Sequence, residues 1–200
     1  VNADRTATQS SFGDQIQASA AVGGASPIYT LRPGAVEATP APVPGAGEVT
    51  ALALPAATAK DVTVTGFTPA ERGSRPDLTQ ASVVIAAGRG IGSREGMELA
   101  EKLADALGGA VGVTRDAVDL DYYDGAYQVG QTGVTVSPDL YIGLGVSGAI
   151  QHTSGMQTAK KIVVVNNDED APIFQIADLG VVGDLFEVVP ALINEIDQRK

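Results

Sequence analysis

From residue 81 onward two kinds of segment alternate along the chain, and this alternation limits the fold more than any other feature. "SVVIAA" (82–87) is a short continuous apolar run, the pattern of a strand buried on both faces of a parallel sheet. It ends in "GRGIGS". The following "REGMELAEKLADALGG" sets Met97, Ala100, Leu103, Ala104 and Leu107 at helical spacing, with Gly108 and Gly109 as stop signals. "AVGVT" (110–114) is the next strand and completes a βαβ unit, whose crossover is nearly always right-handed. Further on the pattern predicts a strand at 140–146, a short helix at 154–160 and a strand at 162–165. A short helix or turn at 173–177 and a short strand at 180–182 come next. The closing helix spans 184–196, with Asp184 as its cap and Leu185, Val188, Val189 and Leu192 on one face. Strands alternating with helices build a parallel sheet covered on both sides, so 81–200 are expected to form a doubly wound α/β domain.

Residues 1–80 read differently and hold eight of the eleven prolines. Strands are expected within 14–22 and 26–34, and 59–69 ("AKDVTVTGFTP") alternates as a half-buried strand would. Between them "EATPAPVPGAGEV" has the composition of a spacer, and "AERGSRPDL" that of a polar linker broken by Pro76. The expected division is a strand-rich remnant of an N-terminal α/β domain at 1–66, a linker at 67–80, and the doubly wound domain at 81–200. The opening "VNADRTATQ" has neither Met nor a signal-peptide pattern, which suggests a chain that begins inside a domain.

Composition removes several function classes. A formal net charge of -11 argues against nucleic acid as a partner, because phosphates bind clustered Lys and Arg. With no cysteine there are no disulfides, thiolate metal sites or Cys nucleophiles, and a reducing compartment is compatible. No apolar run approaches the roughly 18–20 residues of a membrane helix, so a soluble protein with no stable membrane insertion is expected.

In doubly wound sheets ligands bind beyond the carboxyl ends of the strands, where the strand order reverses. The residues that follow each expected strand are therefore the candidates. They are Gly88, Arg89, Gly90 and Gly92; Arg115 and Asp116; Ser147, Gly148, Gln151 and His152; Asn166, Asn167 and Asp168; and Asp184. "GRGIG" is G-x-G-x-G and serves equally as a tight turn or as the start of a dinucleotide site. Asp116 is placed to hold a ribose, to cap a helix or to stand as a solvated charge. The glycines of "SGAIQH" would let backbone N–H groups approach a pyrophosphate ahead of a helix. His152, the only histidine, has no second His or Cys to make a metal site; a Ser-His-Asp triad with Ser147 or Ser154 is formally open, but "GVSGA" only approximates a nucleophile elbow. A loop histidine making one hydrogen bond stays open. "YQVGQTG" (127–133) offers amide and hydroxyl groups suited to holding a ligand, not to breaking bonds. The acidic run at 167–170 lacks the spacing of an EF-hand loop.

Taken in order, "VVIAAGRGIGS", "VGVTRDAVD", "YQVGQTG", "PDLYIGLGVSGAIQH" and "KKIVVVNNDEDAPIFQIADLGVVGDLFEVVP" closely resemble the FAD-binding domain of electron transfer flavoprotein alpha subunits. The likeness covers about 70–200, and 1–66 resemble more loosely the last strands of that subunit's N-terminal domain. The resemblance implies a Rossmann-like domain that holds FAD in extended form. It implies that the Thr132 hydroxyl bonds flavin N5, that His152 donates to flavin O2, and that Arg115 lies against the ring. Val129, Gly130 and Gln131 line the same loop. Ser147, Gly148, Ala149, Ile150 and Gln151 follow the pyrophosphate and ribityl chain. Arg89 lies on the first turn near the cofactor, and Thr114 sits where the family has Ser or Thr. Asn166, Asp184 and Leu185 match the adenosine end.

The same resemblance implies an electron carrier and not an enzyme. It would take electrons from flavin dehydrogenases, including those of fatty acid β-oxidation, and pass them to a membrane or soluble acceptor such as a quinone oxidoreductase. It implies a beta subunit in a heterodimer, and a cytoplasmic location in bacteria or the mitochondrial matrix in eukaryotes. Arg115 would supply a fixed positive charge that favours negative charge on the flavin, and His152 a second donor, charged or neutral. A nicotinamide-dinucleotide-binding oxidoreductase domain built on "GRGIG" and Asp116 is the competing reading.

Overall fold

The structure is a computed structural model that describes residues 4–11, 16–31, 36, 39–56, 58, 60–66 and 73–200. Near the start, β1 (Thr6–Ser11) and β2 (Ile16–Ala21) pair antiparallel. The main body is a five-stranded sheet of β3 (Val83–Ala87), β4 (Ala110–Val113), β5 (Leu140–Leu144), β6 (Lys161–Asn166) and β7 (Leu179–Val182). The spatial order is β4-β3-β5-β6-β7 and every pair is parallel. This is the α/β, Rossmann-like architecture that the alternation of segments predicts.

Apolar runs become strands here because both faces of the sheet are covered. Successive side chains on a strand point to opposite faces. Ile85 and Ala87 of β3 join one cluster with Ile142, Leu144 and Val165, under α1 (Met97–Leu107) and α4 (Leu185–Gln198). Val84 and Ala86 join the other, with Tyr141, Val164, Val129, Met156 and Ile173. The two long helices share one face, while the opposite face is covered mainly by the segments around 127–136, 146–156 and 171–177.

Local chemistry sets the helix ends. Gly108 closes α1 in the left-handed conformation at φ 65°, the region that favours glycine. The carboxylate of Asp184 accepts from Phe186 N at 2.8 Å and caps α4. Arg75 grips α1 from the stretch expected to be a linker, with Nε and Nη2 donating to Asp105 at 2.6 and 2.8 Å. Leu78 is buried in the core, so 73–80 pack with the domain, while 67–72 of the expected linker lie outside the described residues.

Three expectations are corrected. The helix expected at 154–160 lies earlier, as α3 (Ile150–Thr153), and turns follow it. Gly155 lies against the backbone of Gly130, so packing and not helical propensity shapes that segment. Residues 26–31 form no strand, and 32–34 of that expected strand lie outside the described residues. Residues 60–66 form none either, and Val62 and Val64 are 93% and 81% exposed. An alternating strand needs a sheet to bury one face against, and the described residues place none beside it. The polar "TATQSS" of β1, in contrast, is a strand that its composition did not announce.

Candidate functional site

The chain winds outward from β3 in both directions, with β4 on one side and β5 on the other, so the strand order reverses there. A cleft of about 640 Å³ opens at the carboxyl edge, lined by segments that follow β3, β4, β5 and β6 and by the loop at 128–132. This is the position at which such sheets bind ligands.

The seam between the first and third of these segments is made of backbone. Gly88 N donates to Leu144 O at 2.9 Å, and Gly90 N to Gly145 O at 3.0 Å. A Cβ on Gly88 would collide with the Gly145 carbonyl, so these glycines are needed for the loops to touch each other. The "GRGIG" amides that make these bonds are therefore not free for a phosphate, and Arg89 stands on the exposed rim of the cleft.

After β4, Thr114 is the N-cap of α2 (Arg115–Asp119), with its hydroxyl accepting from Ala117 N at 3.4 Å. Arg115 and Asp116 open that helix at the cleft, so Asp116 is a first-turn residue and not the cap. The Arg115 guanidinium pairs with Asp119 at 3.3 Å, with both side chains about two-thirds exposed, at 65% and 64%.

The 128–134 loop is clamped from two sides. Val129 N donates to Val113 O at 2.9 Å, and Gln131 N to Gln151 O at 2.7 Å. Gln128 Nε2 donates to the Thr132 hydroxyl oxygen at 2.8 Å. An oxygen that accepts there keeps its own hydrogen for another partner in the cleft. Val129, Gly130, Gln131 and Thr132 all line the cleft.

His152 lines the cleft yet is only 5% exposed. Its Nε2 lies 2.7 Å from the Tyr141 hydroxyl and its Nδ1 3.0 Å from the Val129 carbonyl oxygen. Burial holds its pKa down to about 4, against a smaller opposing pull from the Val129 carbonyl. The structure thus differs from the expected second donor, charged or neutral. The ring is held neutral, and both nitrogens are already engaged by the protein.

Ser147, Ala149 and Gln151 line the cleft, while Gly148 and Ile150 are not among its walls. Gly148 has φ +90°, and a Cβ there would meet Ile173, so its role is to let the loop pack on the 172–176 turn. The N–H groups of Ser147, Gly148 and Ala149 meet no protein acceptor among the described residues. Asn166 is buried, donates from Nδ2 to Val146 O at 2.9 Å and accepts from Asp168 N at 3.1 Å, so it clasps two strand ends together. Asp184 and Leu185 lie outside the cleft walls, at the start of α4. Gln128 was missed as a functional residue, although it stands inside the quoted "YQVGQTG".

The donor set can be compared with a cofactor. Two guanidiniums stand at the rim, the Thr132 hydroxyl keeps a hydrogen to donate, and three consecutive N–H groups have no protein partner among the described residues. Such a set suits a long ligand rich in acceptors and carrying a pyrophosphate. Residues 77–157 match the family model described as the electron transfer flavoprotein FAD-binding domain. The chain therefore carries an electron transfer flavoprotein FAD-binding domain. FAD is the cofactor of this domain family, and the donors above fit it. The electron transfer flavoprotein subunit alpha of Mycobacterium leprae is 54% identical over 94% of this chain and 59% of its own length. That of Mycobacterium tuberculosis (strain CDC 1551 / Oshkosh) is 56% identical over the same shares. The mitochondrial subunit alpha of Arabidopsis thaliana is 57% identical over 63% of this chain and 35% of its own length. The chain thus spans about 59% of the mycobacterial relatives. Among the described residues no helix is long and apolar enough to cross a membrane.

Proposed function

We propose that the chain is the FAD-binding part of an electron transfer flavoprotein alpha subunit. It would accept electrons from flavin dehydrogenases and pass them to a membrane-bound or soluble acceptor, working with a beta subunit. The location is the cytoplasm in a bacterium or the mitochondrial matrix in a eukaryote. Residues 1–66 are then the remnant of a separate N-terminal unit that keeps the β1–β2 pair, and 67–80 join it to the FAD-binding domain. The carrying observation is that four strand-end segments converge on one cleft whose free donors match a dinucleotide-like cofactor.

When bound, FAD supplies the electron carriage. The protein's part is to hold, orient and tune. Arg89 and the Ser147–Ala149 amides bind the negative middle of the cofactor, and the Thr132 hydroxyl, its oxygen held by Gln128, donates to a ring acceptor. Asn166 fixes the wall beside the adenosine end, with Asp184 and Leu185 beyond it. Arg115 supplies a charge that does not titrate. Its effect is tempered by exposure and by Asp119, because screened charges interact weakly. No side chain makes or breaks a substrate bond, which is the carrier reading.

The nicotinamide alternative gains nothing from the structure, since Gly88 and Gly90 spend their amides on the neighbouring loop. Titrating the chain with FAD tests the proposal. Saturable quenching of flavin fluorescence at one FAD per chain is expected, and preferential binding of a nicotinamide dinucleotide would overturn it.

A further inference from the structure

We infer that Tyr141 is a positioning residue of the cleft: its buried hydroxyl donates to His152 Nε2 and locks the imidazole with its hydrogen on Nδ1. The chemistry of the partners forces this arrangement. A backbone carbonyl only accepts, so the 3.0 Å contact with Val129 O requires an N–H on Nδ1. A neutral ring then has a bare Nε2, which only accepts, and its donor among the described residues is the Tyr141 hydroxyl at 2.7 Å. The phenol is fully buried, which pushes its pKa up and keeps its hydrogen in place. Among the described residues no carboxylate bears on the imidazole to favour its charged form.

The bonds form a relay across three elements. Tyr141 sits in β5, within the packed sheet; His152 sits in α3; Val129 begins the loop that carries Gln131 and Thr132. The loop is thus held at two heights, by the imidazole through Val129 O and by Gln151 O through Gln131 N at 2.7 Å. The single histidine acts through the loop it holds, and a residue with no cleft-facing role assigned to it sets where the Thr132 hydroxyl stands. This use of the lock rests on the proposed FAD function, whereas the tautomer itself does not.

Because the chain has one histidine, ¹⁵N-histidine labelling gives a single ring to follow by NMR. In the full chain the Nδ1–H tautomer is expected, with no titration between about pH 8 and pH 5.5. In Tyr141→Phe, which keeps the ring and removes only the hydroxyl, Val129 O still holds the hydrogen on Nδ1, while the bare Nε2 loses its donor, so its ¹⁵N resonance is expected to move downfield and FAD affinity to fall about tenfold, the scale of one hydrogen bond. An Nε2–H tautomer or an ordinary midpoint near 6.5 in the unsubstituted chain overturns the lock, even if Tyr141→Phe does not fold. Unchanged FAD affinity in a folded Tyr141→Phe overturns its positioning role. If the unsubstituted chain shows the expected tautomer but binds no FAD, the functional proposal falls and the lock stands.

Discussion

Single residues set the charge of the cleft, and two of them make opposite predictions. Arg115 carries a permanent charge at the mouth, partly neutralised by Asp119. Arg115→Ala in the FAD-loaded protein is expected to lower the flavin's first reduction potential by some tens of millivolts, where about 59 mV is tenfold in a one-electron equilibrium. Asp119→Asn should raise it, because the guanidinium loses its counter-charge. Spectroelectrochemistry checks both, and a shift of the same sign in both variants would defeat the account. His152 makes a pH prediction. Its folded pKa, about 4, lies below its ordinary value of 6.5, so between these values the unfolded chain binds more protons. Stability from this group is therefore complete above roughly pH 6.5 and is lost as pH falls toward 4. The loss is at most on the order of 3 kcal/mol. Denaturant unfolding at stepped pH measures it, and His152→Gln should flatten the slope in that window. The arginine's presence at a strand end was legible in the sequence. The histidine's neutrality was not, since Tyr141 and Val129 come from other elements.

At the scale of elements, the seams between loops decide whether the cleft exists. Gly88 leaves no room for a side chain, because a Cβ would strike the Gly145 carbonyl. Gly88→Ala is expected to cost roughly 1–3 kcal/mol in unfolding free energy, the range for forced backbone shifts, and to weaken FAD binding measurably. Equal stability and affinity would show that the seam yields without cost. For α4, Asp184→Ala removes the cap on Phe186 N and is expected to cost about 1 kcal/mol, while Asp184→Asn retains most of it. Thermal unfolding of the pair separates capping from charge. Apolar runs and glycine stops made β3, α1, β4, β5, β6 and α4 readable. The early start of α3 was not, because Gly155 is positioned by Gly130, a neighbour 25 residues back in sequence.

At the scale of the molecule, every cleft-lining residue falls between Gly88 and Asp168. The hydrogen bonds from Arg5 to Gly24 and from Tyr29 to Arg5 join segments within the first 29 residues. A version comprising 73–200, which keeps Arg75 on α1 and Leu78 in the core, is therefore expected to bind FAD within about twofold of the full chain. Isothermal titration of both decides it. Saturating FAD at about 100 times its dissociation constant should stabilise either by about 2.7 kcal/mol.

The sequence alone settled what local chemistry settles. Continuous apolar runs demand a sheet covered on both faces, glycines and caps end the helices, and the ordered motifs carry the family resemblance. Only the tertiary structure decided which donors are free. Whether a glycine amide faces a ligand or a neighbouring loop, and whether an imidazole has a nitrogen to offer, depends on partners from distant segments. Those partners meet only where the strand order reverses, so Gly88, Gly148 and His152 could be located in the sequence but their bonds could not.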